Sequence, residues 1–140
     1  MENRFWLILY TRHGLGTEAE AARLLDFLDQ SKGISQPGYF DKNEPVRKVL
    51  NAKTLPAAVA MLSGAPKYKL GSMMLRSKDS AFLADLKWHS TKTAKWLIEF
   101  SGAAYADPAG WQSLIDFCSR LCRAFPALAG GCAPYEDWNA

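Results

Sequence analysis

Phe5-Trp6-Leu7-Ile8-Leu9-Tyr10 is apolar at all six positions. Successive residues of a strand point to opposite faces, so a strand that is apolar on both faces needs both covered. The stretch therefore predicts a central strand, flanked by neighbours in a sheet. It is far shorter than the roughly 18 apolar residues that a membrane-spanning helix requires. Arg12 and His13 follow it with no small-residue cleavage site, so it does not read as a signal peptide. The expectation is a cytoplasmic protein with no membrane partner. Three cysteines, an odd number, imply no closed disulfide framework and agree with a reducing compartment.

Working outward, Gly14 and Gly16 end the strand and Thr17 and Glu20 stand at capping-box spacing, which predicts a helix start. Ala21, Leu24, Leu25 and Leu28 recur at i, i+3, i+4 and i+7 and form one buried stripe. Gly33 supplies a stop. Residues 34–44 read as a loop turning at Pro37-Gly38, with Tyr39 and Phe40 exposed. Two short helices are expected next. Asn43 would cap one, with Val46, Val49 and Leu50 inward, and Thr54 the other, with Val59 and Leu62 inward. Three strands follow at Leu70–Arg76, Ala81–Trp88 and Lys95–Ser101, joined by hairpin loops and hence antiparallel. In the second, Phe82, Ala84, Leu86 and Trp88 share one face; in the third, Trp96, Ile98 and Phe100 do. A last long helix begins at Asp107-Pro108, a good cap and first-turn pair. Its predicted buried stripe is Trp111, Leu114, Ile115, Cys118, Leu121, Cys122 and Phe125. The fold class is α+β, with an antiparallel or mixed four-stranded sheet and two long helices packed on one face. The order is β-α-(short helices)-β-β-β-α. Residues 1–129 form one domain and residues 130–140, after a Gly130-Gly131 break, a C-terminal tail.

The chain has 140 residues, 49% of them hydrophobic and 22% charged, which excludes disorder and coiled coil as its main character. Seventeen basic and fourteen acidic residues leave a net charge of +3. The distribution says more. Residues 42–95 carry eleven basic side chains against three acidic, between two mildly acidic ends. A basic block suits an acidic partner. Its basic residues are scattered, with Arg47-Lys48 the one adjacent pair, which disfavours nucleic acid as that partner.

The residues that could do chemistry do not converge. Cys118 and Cys122 share a helix face but lie on its apolar stripe, and with Cys132 they give no zinc spacing. His13 and His89 stand at strand ends without a recognisable partner. Gly14-Leu15-Gly16 lacks the third glycine and the parallel βαβ continuation of a dinucleotide loop. No catalytic residue, metal site, cofactor or small-molecule substrate is expected. The aromatic residues are more telling. Tyr39, Phe40, Tyr68, Tyr135 and Trp138 fall in loops or the tail, beside Lys42, Arg47, Lys67, Lys69, Arg76 and Lys78. Tyr and Trp bury much area at little entropic cost, and Arg joins them at binding hot spots. These eleven residues are the candidate partner-binding set.

The layout is similar to that of a known family. An aromatic-rich strand, FWLILYTRH, runs through a turn into the acid-capped helix TEAEAARLLDFLDQ. The aromatic and basic stretch YFDKNEPVRKVL follows, then LPAAVAMLSG and hairpin strands such as AFLADLKW. This resembles the immunity protein 52 family of bacterial polymorphic-toxin systems. The resemblance covers most of residues 5–101. It implies a cytoplasmic antitoxin, not an enzyme, that neutralises a cognate toxin by one-to-one binding. It further implies that the toxin is a nuclease of restriction-endonuclease type delivered by type VI secretion. An acidic protein would suit DNA mimicry. A basic middle instead suits pairing with acidic groups at or near the toxin's active site. The alternative reading is a small α+β nucleic-acid-binding module using the basic segment 42–95. A small enzyme using His13 or a cysteine is a third.

Overall fold

Strand β1 (Arg4–Thr11) runs between β6 (Lys92–Ser101) and β7 (Ala127–Pro134), antiparallel to both. Leu7 pairs with Ile98 on one side and with Cys132 on the other. β1 therefore has a neighbour on each side, as FWLILY suggests, but it stands next to the β7 edge and not in the middle of the sheet, and helices cover only its Leu7–Leu9 face. In this computed structural model the described residues are 4–11, 15–31, 34, 36–64, 70–89, 92–101, 105, 107–125 and 127–134. Gly14, Gly33 and Pro126 lie outside them.

The remaining strands are β2 (Pro37–Asp41), β3 (Lys48–Val49), β4 (Leu70–Ser77) and β5 (Phe82–His89). The sheet order is β3-β2-β4-β5-β6-β1-β7, with every pairing antiparallel. The helices are α1 (Glu18–Gln30), α2 (Leu55–Ser63) and α3 (Pro108–Ala124). A seven-stranded antiparallel sheet with three helices replaces the expected four strands and two long helices. The expected helix after Asn43 does not form. Residues 42–47 run irregularly, and Lys48 and Val49 pair with Phe40 and Tyr39. The Pro37-to-Asp41 segment, expected as loop, finds partners on both sides, because buried backbone N–H and C=O groups need them. Residues read as a tail after Gly130-Gly131 lie in β7 as far as Pro134.

The inward side chains form one core. β1 contributes Leu7 and Leu9, β4 Met73 and Leu75, β5 Phe82, Ala84 and Leu86, and β6 Trp96, Ile98 and Phe100. Helices supply Leu24, Leu25 and Leu28 from α1, Val59 and Leu62 from α2, and Leu114, Phe117 and Leu121 from α3. All three helices thus pack on one sheet face. Burying a large apolar side chain such as Phe82 contributes roughly 1.5–3 kcal/mol.

Local chemistry sets the helix positions. Thr17 Oγ1 accepts the Glu20 N–H at 3.2 Å, as the capping-box spacing predicts. Asp107 accepts the Gly110 N–H at the start of α3. The amide of Gly64 donates to the Ala60 carbonyl at the end of α2, with φ +77°, where glycine is favoured. α2 then lies against β4 and β5, where Trp88 Nε1 donates to the Leu62 carbonyl at 2.6 Å. A Cβ on Gly71 would collide with that same carbonyl and with the indole, so the approach requires glycine there. The α3 stripe is rotated from the expected one. Phe117 is fully buried between Phe27 and Phe100, while Trp111 and Ile115 are exposed.

Candidate functional site

With the helices on one face, the alternate residues of each strand form the other. Their registers place three rows across it. One runs Tyr39, Arg76, Leu83, Glu99, Trp6. The next runs Asp41, Met74, Asp85, Leu97, Ile8, and the third Ser72, Lys87, Lys95, Tyr10. Met74, Leu83, Leu97, Trp6 and Ile8 are half-buried, and Lys87, Lys95 and Tyr10 are exposed. The face therefore carries half-buried apolar side chains, with Asp85 among them, inside a largely charged rim. That is the arrangement of a protein interface, where an apolar centre is ringed by polar groups.

At the arginine end the irregular segment 42–47 folds over the first row and encloses a groove of about 700 Å³. Arg4, Arg47, Arg76, Glu44, Glu99 and Leu83 line it, with Pro45 and Val46 as apolar wall. Arg4 Nη1 contacts Glu99 Oε2 at 2.9 Å in a salt bridge. Arg76 is the strap. Its Nη2 donates to the Val46 carbonyl at 3.1 Å, and its Nη1 donates to the Ser77 carbonyl and Ser80 Oγ, both at 3.4 Å. Its guanidinium lies over the Tyr39 ring, 4.4 Å from the centroid, a cation–π contact. Val46 is buried beneath this strap.

The eleven expected binding residues are distributed unevenly. Arg76 and Tyr39 meet directly, and Arg47 shares the groove with Arg76. Lys42 is exposed on the segment that roofs it. Lys78 is exposed, with its chain against Gly38, and lines a separate polar depression with Asp79 and Gln36. Phe40 was expected to be exposed and is instead 2% exposed in the core. Its register opposite Leu75 turns it to the helix face. Lys67, Tyr68, Lys69, Tyr135 and Trp138 lie outside the described residues.

Sequence reading missed Arg4, Glu44, Leu83 and Glu99 as members of one site. Glu99 alternates with buried Ile98 and Phe100 along β6 and so faces outward, where a lysine of a neighbouring strand could have paired with it. Arg4 takes that place because β1 pairs with β6 so that Arg4 stands opposite Ser101, two residues from Glu99 on the same face. The lysine pairing occurs elsewhere, as Lys87 with Asp85 at 3.5 Å.

Other candidate chemistry stays dispersed. Cys118 and Cys122 are half-buried on α3 and packed against the core. Burial pushes the Cys122 thiol above its ordinary pKa, so it stays protonated at neutral pH. Among the described residues no three His, Cys, Asp or Glu side chains gather to hold a metal. His13 lies outside them. No described helix is long and apolar enough to cross a membrane.

No protein-family model and no curated protein matches the chain. Among solved structures, the Pseudomonas aeruginosa T6SS (type VI secretion system) protein PA0821 is similar in fold. The TM-score is 0.56 over 94% of this chain, at 14% identity. This chain spans 40% of that protein's length. At that identity the likeness is one of fold, and membership in the immunity protein 52 family is not shown by it.

Proposed function

We propose that the protein is an immunity protein, which binds a cognate antibacterial toxin one-to-one through its open sheet face and neutralises it without turnover. The observation that carries this reading is the helix-free face itself. Its half-buried apolar side chains Met74, Leu97 and Ile8, with Asp85 between the first two, are flanked by arginines at one end and lysines at the other. Such a face can bury a partner's surface while its rim sets orientation and encounter rate. The likeness in fold to a type VI secretion protein supports the same reading. The toxin in this proposal is of nuclease type and the encounter takes place in the cytoplasm.

Co-expression with the product of the neighbouring open reading frame tests the proposal. Growth should be rescued, and the two proteins should co-elute as a one-to-one complex. Cell death despite abundant folded protein would overturn it.

A further inference from the structure

Two of the three groove arginines form no ion pair with a carboxylate of the described residues, although Glu44 lines the same groove. Arg4 is taken by Glu99. Arg76 contacts only neutral groups: the Val46 and Ser77 carbonyls, Ser80 Oγ and the Tyr39 ring. Arg47 is exposed and forms no ion pair with a described residue. A half-buried guanidinium with neutral partners keeps its full charge where the field is less screened than in bulk water. Its neutral partners leave the Arg76 Nε–H and a second Nη2–H without a hydrogen bond among the described residues. Those unpaired donors of the guanidinium fork are available to the oxygens of a carboxylate. The ring of Tyr39 and the carbonyl of Val46 hold the fork in place beforehand, so little rotamer freedom remains to be lost on binding. Leu83, Pro45 and Val46 supply apolar surface for the methylene stem of an incoming side chain.

We propose that this groove is a carboxylate-binding site that takes an aspartate or glutamate side chain from an acidic loop of the partner protein, held by Arg76 and Arg47. This rests on the protein-binding reading above and names the chemistry of the contact. The groove volume of about 700 Å³ admits a short loop and not only one side chain.

A displayed library of short peptides panned against the full chain tests the site without the toxin. The selected peptides are then titrated calorimetrically against the wild type, Arg47→Glu and Lys53→Glu, the latter at an exposed lysine just before α2 and outside the sheet face. Both substituted residues are exposed, so neither variant threatens the core. The expected result is peptides with Asp or Glu beside an apolar residue, bound roughly tenfold or more weakly by Arg47→Glu and nearly unchanged by Lys53→Glu. Peptides with no acidic consensus, equal binding by Arg47→Glu, or equal losses in both variants would overturn the site. So would an oligonucleotide that binds and is lost on Arg47→Glu while acidic peptides do not bind. Toxin rescue in cells together with failed peptide selection would retain the immunity reading and discard the groove. Acidic peptides held by Arg47 without toxin binding would do the reverse.

Discussion

Phe117 shows how much one side chain decides. It is fully buried, with its ring 5.9 Å from Phe100 and 6.2 Å from Phe27. Phe117→Ala should destabilise the protein by about 3–5 kcal/mol, since both transfer and cavity terms are lost. Ile115, two residues earlier and 43% exposed, should cost well under that, about 1 kcal/mol or less, when changed to Ala. Urea denaturation of the two variants checks the contrast, and equal losses would mean that the α3 stripe is misplaced. Cys122 carries a second residue-scale prediction. Its thiol pKa is raised by burial, so the folded form contributes stability that is present below the ordinary cysteine pKa. That stability is lost as pH rises through the folded value. Alkylation by iodoacetamide at mildly alkaline pH should accordingly be slower in native protein than in urea, as mass spectrometry would record.

At the scale of elements, the ends of helices and the margins of the sheet are the informative places. Asp107 caps α3 with its carboxylate, and Asp107→Ala should cost about 1 kcal/mol, read as a lower denaturation midpoint at unchanged slope. Strand β7 has a larger role than its sequence suggests. It covers one side of β1 from Phe5 to Thr11. A chain ending at Phe125 should expose that ladder, lose cooperative unfolding and aggregate, because an unpaired apolar strand is a template for further pairing. Light scattering during purification would show it; a monomeric, cooperatively folding product would refute it. Strands β5 and β6 were legible face by face from their alternating inward residues, whereas β4, LGSMMLRS, was legible as a strand but not in its register. β2, β3 and β7 were not legible as strands. β2 opens with Pro37-Gly38, which signals a turn. β3 is two residues long. β7 is ALAGGCAP, with two central glycines and no β-branched residue. Such segments become strands because a neighbour's unpaired backbone is available, which no local pattern reports.

For the whole molecule, the placement of all three helices on one face is what leaves the other sheet face open to the proposed partner. The rim of that face is charged, so association with the partner should slow as ionic strength rises, while dissociation changes less. Stopped-flow measurements at two salt concentrations would check this, and a salt-independent on-rate would place binding away from the rim. The core of this arrangement was largely readable. FWLILY demanded neighbours on both sides, and the faces of β5 and β6 were assigned correctly residue by residue. The candidate site was readable only in fragments. Tyr39, Arg47 and Arg76 were each singled out, but nothing along the chain says that a tyrosine, two arginines and a distant Arg4–Glu99 pair share one groove.

That difference has a physical origin. Hydrophobic periodicity and capping residues act over a few positions, so the sequence by itself determined β1 as a strand paired on both sides, the hairpin strands, the start of α1 and α3 and the absence of a long apolar span. The register between strands distant in sequence depends on which backbone edges meet once the core has closed. Only the tertiary structure therefore decided that Phe40 turns inward opposite Leu75, that Arg4 reaches Glu99, and that Arg76 clamps a loop thirty residues before it.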